Sequence, residues 1–238
     1  MRFEQDTFFF VKNRNKYDLA LTPIDLLTSN DFTFVVRCKP DWDSISDDSS
    51  TAIIAKNGKH IGILAKKFTS PSDGPQCFIG LEGWSTPERG EEEVSFGYDY
   101  WIEDDKKDVE FNLAFVHNVE KKEVTLWVND EKVTQKYRGQ LSDYTNAWLW
   151  IGCGCGFSDF AVEHQWQFIG DIDFVGVYKM ALNKKNIDNI VNDKILTEAT
   201  DRKYKPACVT NFSNQTPYKI KDESGMGHNL IVGGYEWT

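Results

Sequence analysis

Residues 167–190 read QFIGDIDFVGVYKMALNKKNIDNI, and this segment is the most informative about the fold. Polar and apolar residues alternate over Phe168–Tyr178, which predicts a β-strand. Alternation divides its side chains between two faces: Asp173, Val175 and Val177 on one, and Ile172, Phe174, Gly176 and Tyr178 on the other. A turn follows this strand, and apolar residues at helical spacing then predict a short helix over Lys184–Ile195.

Short strand-like segments separated by polar turns recur through the rest of the chain. A turn at Asn57-Gly58 between two of them predicts a β-hairpin. The other predicted strands are Phe32–Cys38, Thr51–Lys56, Gly62–Lys66, Cys77–Leu81, Val94–Tyr98, Val109–Asn118, Glu123–Asn129, Glu131–Tyr137 and Ala147–Gly152. Many short strands with a single helix predict an all-β fold, a two-sheet antiparallel jelly-roll sandwich with one short helix after the last long strand.

Several segments, in order, resemble laminin G-like and pentraxin-like domains, which are jelly rolls of the concanavalin A-like lectin and glucanase type. They are DFTFVVRCKP at 31–40, AIIAKNGKHIG at 52–62, FNLAFV at 111–116, VTLWVNDEKV at 124–133, WLWIG at 148–152 and the closing stretch quoted above. The chain departs from the family pattern at Asn112, where a Trp-His pair is usual, and at Asp130, where the turn usually has Gly. Within the family, the chain is most similar to stand-alone members encoded by tailed phages.

This resemblance implies a laminin G-like domain over residues 30–192, with residues 1–29 and 193–238 as extensions packed on it. Such domains mostly bind and seldom catalyse. The implied function is therefore non-catalytic recognition of a glycan or of a protein on a surface. Two alternatives stay open, namely a structural virion protein for capsid decoration or tail adhesion, and an enzyme that degrades polysaccharide.

Charge and cysteine usage restrict the partners. The net charge is −10, and an acidic surface repels phosphate backbones, so nucleic acid is not expected as a partner. No apolar run is long enough for a membrane span. Glu4 and Asp6 stand where a signal peptide would be positive, and the five cysteines are odd in number. Both features predict synthesis in the cytoplasm with reduced thiols, followed in the virion reading by assembly with other virion proteins.

Strand alternation predicts no catalytic residue in this chain. Glucanase-type jelly rolls carry a nucleophile and an acid/base carboxyl on one strand face, and retaining enzymes hold the two about 5 Å apart. The nearest candidate nucleophile here is Asp171, and the acid/base position then falls on Val175 or Gly176. Neither residue can transfer a proton, so cleavage of a glycan is not expected.

Aromatic side chains supply the candidate binding residues, because flat apolar sugar faces stack on rings while polar groups fix the hydroxyls. Alternation puts Trp148 and Trp150 on one strand face, opposite Leu149 and Ile151, which predicts an aromatic platform above a core-facing side. The further candidates are Trp127, Asn129, and Trp84 and Trp101 in or near predicted loops. The alternative is that these rings are buried, as large aromatics usually are.

The sequence is compatible with a bound calcium ion but does not identify its binding site. The resemblance implies carboxylates and backbone carbonyls as ligands. The candidate acids are Asp171, Asp47, Asp48, Asp104 and Asp105. No EF-hand pattern is present, and the Cys153-Gly154-Cys155 segment offers too few ligands for a metal, so no metal ligand is predicted.

Overall fold

A computed structural model describes residues 2–3, 8–11, 29–56, 61–87, 91–142, 149–152, 154–155, 164–165, 167–191, 199–212, 219–226 and 230–233. Its strands are β1 (Arg2–Phe3), β2 (Phe8–Val11), β3 (Phe32–Pro40), β4 (Ser49–Lys56), β5 (Ile61–Ser70), β6 (Gly74–Thr86), β7 (Val94–Ile102), β8 (Phe111–Asn118), β9 (Glu123–Val128), β10 (Glu131–Lys136), β11 (Gln140–Leu141), β12 (Leu149–Ile151), β13 (Gly154–Cys155), β14 (His164–Gln165), β15 (Gly170–Tyr178), β16 (Pro206–Asn211), β17 (Lys219–Ile220) and β18 (Leu230–Gly233). The helix α1 covers Lys184–Val191, and short 3₁₀ turns cover Asp104–Lys106 and Arg202–Tyr204.

The strands form two antiparallel sheets that pack face to face. Sheet A runs β1-β15-β3-β8-β9-β10, with β16 paired to β15. Sheet B runs β11-β6-β5-β4-β12-β2-β18-β17, with β7 paired to β6, while β13 and β14 pair separately. This architecture confirms the predicted jelly-roll sandwich. Among the described residues, no helix combines the length and the apolar character needed to cross a membrane.

The main core fills the space between the sheets. Alternation along β3 explains the arrangement, since Phe34 and Val36 enter this core while Val35 points to the outer face of sheet A. Its members from sheet B include Ile53, Ile63 and Leu81. Cys38 and Cys208 in sheet A and Cys77 in sheet B are buried cysteines in the reduced thiol form. Burial raises the pKa of Cys38 and Cys208 well above the ordinary value.

A second core covers the outer face of sheet A. Tyr178 and Phe174 of β15 pack there against Ile187 and Ile190 of α1. Asn183 caps the helix, because its Oδ1 accepts a hydrogen bond of 3.0 Å from the backbone N–H of Asn186. The predicted helix is confirmed from Lys184 to Val191, and the rest of the predicted span lies outside the described residues.

The predicted faces of β15 are wrong on one point. The register with β3 shifts between Ile172 and Phe174, which makes Asp173 a β-bulge. Because a bulge reverses the alternation, Ile172 joins Val175 and Val177 in the main core, while Phe174 faces α1. The strand also begins at Gly170 rather than at residue 168.

Both ends of the chain contribute strands to the sheets. From the first residues, β1 pairs with β15 and β2 lies between β12 and β18. From the last, β16 pairs with β15 and β17 pairs with β18. The assignment of these ends as extensions of a domain over 30–192 stays a prediction. The predicted hairpin strands β4 and β5 do pair, and Asn57-Gly58 itself lies outside the described residues.

Candidate functional site

The outer face of sheet B carries an open groove where β5, β6 and β7 run side by side. We call it the β6–β7 groove. It has a volume of 540 Å³ and is lined by Lys66, Glu82, Gly83, Trp84, Ser95, Phe96, Gly97, Tyr98 and Asp99. The pairs Trp84–Ser95 and Glu82–Gly97 stand directly opposite each other in the antiparallel register, so each pair shares a face. The groove thus combines one tryptophan ring with charged side chains on a rigid sheet.

An ion-pair triad crosses the middle of the groove. Lys66 Nζ lies 2.7 Å from Asp99 Oδ1 and 2.9 Å from Glu82 Oε1. Burial lowers the pKa of the Lys66 amine, but the hydrogen bonds to Asp99 and Glu82 outweigh this and hold it above the ordinary value. The ammonium therefore stays charged, and the three groups together carry one net negative charge.

Gly80 allows this crossing. A Cβ at Gly80 would lie 2.5 Å from Lys66 Cε and 2.8 Å from Asp99 Oδ1, closer than atoms normally approach. The missing side chain lets the lysine lie flat across β6 and reach the carboxylate on β7. The space above Gly80 is therefore filled by the lysine and the Asp99 carboxylate rather than by a side chain of β6.

Trp84 and Trp101 lie on strands, which corrects the prediction that they sit in or near loops. The predicted strands Cys77–Leu81 and Val94–Tyr98 extend to Gly74–Thr86 and Val94–Ile102. Trp84 is half-buried and lines the groove, and Trp101 is 52% exposed on the same face. Strand positions hold these rings more rigidly than loops would.

The predicted open platform at Trp150 is wrong. Its strand alternates as expected, because Leu149 and Ile151 enter the main core and Trp150 faces the other way, beside its register partner Ala55. However, Trp150 is only 5% exposed. This part of the outer face of sheet B is covered, as the buried cluster Ala52, Ala55 and Leu64 also indicates. Trp148 lies outside the described residues.

The structure separates Trp127 and Asn129 from the groove. Trp127 is on β9 in sheet A, where Lys132 Nζ and Lys184 Nζ lie 5.5 and 5.6 Å from its ring centroid. These cations and the second core occupy the surroundings of the ring. Asn129 adopts a left-handed φ of 53° in the β9–β10 turn, and its Oδ1 accepts a hydrogen bond from the backbone N–H of Asn112.

The carboxylates of the groove act as acceptors. Glu82 and Asp99 both hold the Lys66 ammonium, and an ionised carboxylate accepts hydrogen bonds but has no proton to donate.

A different pair of carboxyl groups, Glu110 and Asp173, is hydrogen-bonded on sheet A. Burial, and then this hydrogen bond, raise the pKa of Glu110. Direct contact leaves no space for a sugar carbon between the two carboxyls, which glycosidases hold at least about 5 Å apart.

Three of the five candidate calcium acids serve other contacts. Asp47 pairs with Lys67 Nζ at 2.9 Å, Asp48 Oδ1 accepts from the backbone N–H of Thr69, and Asp104 pairs with Lys107. Asp105 lies in the same 3₁₀ turn as Asp104, and Asp171 lies on β15. Within the described ranges, no group of three or more His, Cys, Asp or Glu side chains could hold a metal ion.

A second hollow of 660 Å³ lies at one end of sheet A. Its lining residues are Ser29, Asn30, Asp31, Val119, Glu120, Lys179, Met180 and Lys205. None of these side chains is aromatic, so the hollow lacks the ring that a sugar face would stack on. The β6–β7 groove is therefore the stronger candidate site.

Sequence reasoning missed the triad. Lys66, Glu82 and Asp99 come from three strands and are brought together only by the pairing register of β5, β6 and β7. No local motif marks them. The one available signal is that Lys66 and Glu82 each occupy an outward position in an alternating strand.

Comparisons with known proteins find similarity among solved structures alone. No protein-family model and no curated protein matches the sequence. Among solved structures, a candidate carbohydrate binding protein from Bacteroides ovatus matches with a TM-score of 0.63 at 15% identity, covering 99% of this chain and 59% of that chain. The CBM40 of Ruminococcus gnavus IT-sialidase matches with a TM-score of 0.48 at 15% identity, covering 79% of this chain and 95% of that one. A SAP-like pentraxin from Limulus polyphemus matches with a TM-score of 0.46 at 11% identity, covering 98% and 96%.

Proposed function

We propose that this protein is a non-catalytic recognition module that binds glycan in the β6–β7 groove. The observation that carries the proposal is the combination of the Trp84 ring with the Lys66, Glu82 and Asp99 triad in one open groove of 540 Å³. Binding sites for small ligands unite apolar or aromatic walls with a few fixed polar groups. The groove has both.

The chemistry of each group fits a sugar. One face of the Trp84 ring stacks on the apolar C–H face of a pyranose, while Glu82 and Asp99 accept hydrogen bonds from its hydroxyls. The lysine holds both carboxylates in place before the ligand arrives, which reduces the entropy lost on binding. The description of the Bacteroides ovatus structure as a candidate carbohydrate binding protein supports the same assignment.

The test is a glycan screen followed by calorimetry. We expect the purified chain to bind at least one glycan class, and Trp84→Ala to weaken that binding by about 1–3 kcal/mol, as for a central interface aromatic. Trp127→Ala is the matched control, because Trp127 lies on the other sheet and should leave the affinity unchanged. Incubation with the bound glycan should release no reducing ends.

Two results would contradict the proposal. Equal loss of affinity in the two tryptophan variants would place binding elsewhere. Reducing-end release that disappears in Glu82→Gln would make the groove an active site and support the polysaccharide-degrading alternative. The virion role stays a prediction that these measurements do not address.

A further inference from the structure

An aromatic patch lies on the same face of sheet B as the groove. It consists of Phe68, Phe78 and Trp101. Phe78 and Trp101 are register partners on β6 and β7, and the ring centroids of Phe68 and Phe78 lie 6.1 Å apart. Phe68 is 40% exposed and Trp101 is the more exposed of the two. Isolated exposed rings are ordinary on a protein surface, whereas adjoining exposed rings mark an interaction surface.

The patch continues the groove along β6. Alternation points Phe78, Gly80, Glu82 and Trp84 to the outer face in turn, so the patch and the Trp84 ring stand at the two ends of the ion-pair triad. Trp84 is six positions after Phe78, which is about 20 Å at the usual strand rise of about 3.3 Å per residue. A single sugar ring can contact one end only, while an extended chain of sugars can contact both.

Charge selects among sugar chains. Between the two aromatic ends, the Lys66 side chain is 8% exposed and its ammonium already holds both carboxylates, whereas the Asp99 side chain is 39% exposed. A carboxylate, sulfate or phosphate on a ligand would meet the exposed acids rather than the buried cation, on a chain whose net charge is −10. Hydroxyl groups can donate to the same carboxylates without this repulsion.

We propose that the β6–β7 groove and the aromatic patch form one continuous platform for an uncharged polysaccharide segment that reaches from Trp84 to Trp101. The proposal rests on glycan recognition by the groove and adds the length and the charge of the ligand. Stacking at the two ends aligns the sugar chain with β6, and the triad between them binds hydroxyls.

The experiment is calorimetric titration of the purified chain with a ladder of neutral oligosaccharides. Glucan, mannan, xylan and galactan ladders from disaccharide to hexasaccharide are the neutral probes, and oligogalacturonate and sialyllactose are the acidic probes. We expect affinity for one neutral ladder to rise with length up to a hexasaccharide, and the acidic probes to bind more weakly. Trp101→Ala should lower hexasaccharide affinity about tenfold to a hundredfold and abolish the gain with length.

Val94→Ala provides the matched control. Val94 is as exposed as Trp101, at 52%, and lies on the same strand, but it pairs with the core-facing position Ser85 and so belongs to the opposite face. This variant should retain the full dependence on length.

Three other outcomes would each refute one part of the proposal. Equal affinity for disaccharide and hexasaccharide, unchanged in Trp101→Ala, would refute the continuous platform while leaving glycan binding in the groove intact. Tighter binding of the acidic probes would refute the selection for uncharged chains. Absence of binding to every probe would refute the proposed function, and this inference with it.

Discussion

The two ends of the outer face of sheet B behave differently although the same sheet builds both. Around β4 and β12, Trp150 and the cluster of Ala52, Ala55 and Leu64 are buried. Around β6 and β7, Trp101 and Phe68 are exposed and Trp84 lines a groove. A tryptophan on an outward strand position is thus core in one region and surface in the other.

Lys66 lies between the two regions. Its register partner Phe78 belongs to the aromatic patch, and its ammonium reaches toward β7, while Leu64, two positions earlier, is fully buried. Strand alternation therefore assigns a residue to a face but leaves open whether that face meets solvent. What covers the face decides between stability and binding.

Trp150→Ala should give the largest effect, because it empties a covered aromatic site. We expect a loss of about 3–5 kcal/mol in the free energy of unfolding, the usual cost of removing a core aromatic side chain. Denaturant unfolding of the variant and the wild type measures it. A loss below about 1 kcal/mol would show that this end of the face is open and would remove the distinction between the two regions.

The sequence predicts the fold because its evidence is local. Alternation, turn residues and the short helix over Lys184–Val191 are all read within single segments. The bulge at Asp173 escapes such reading, because it depends on the register with β3. The triad of Lys66, Glu82 and Asp99 escapes it for the same reason, since three separate strands have to pair before these residues meet.

Titratable groups also differ between the buried interior and the groove: buried His117 is neutral, whereas the groups of the groove are charged. His117 provides the second prediction. His117 is fully buried, its Nδ1 lies 3.0 Å from the carbonyl oxygen of Asn30, and its Nε2 lies 2.7 Å from Tyr137 Oη. A carbonyl only accepts, so Nδ1 carries the proton and Nε2 accepts from the tyrosine. Burial lowers the pKa of His117 to about 4.

A folded pKa of about 4 against an ordinary value of 6.5 sets the direction of the pH dependence. The unfolded chain binds the proton more readily, so stability is complete above about pH 6.5 and falls as the pH drops toward 4. The loss from this group should reach about 3 kcal/mol. Lys66, whose pKa is raised, stays charged throughout this range and contributes no such loss.

Unfolding free energies measured between pH 7 and pH 4 check this prediction, with His117→Gln as the control. The variant lowers stability at neutral pH but should have a shallower dependence on pH, since its side chain does not titrate. Equal slopes for the two proteins would mean that folding leaves the pKa of His117 at its ordinary value. The contrast between neutral buried groups and charged groove groups would then fail.

Trp101→Ala should have the smallest effect on stability, which is the reverse of its expected effect on binding. Half of the side chain is exposed, and its neighbours Phe78 and Phe68 keep their own contact when the indole is removed. Surface substitutions of this kind usually change stability by about 0.5 kcal/mol or less, so we expect a loss below about 1 kcal/mol. The same denaturant titration as for Trp150→Ala measures it. If both tryptophans cost the same, the β6–β7 end is covered too, and the site would have to be sought elsewhere. If only Trp150→Ala destabilises the fold, the exposed Trp101 ring has little structural role. The calorimetric titration with oligosaccharides of increasing length then measures its contribution to binding.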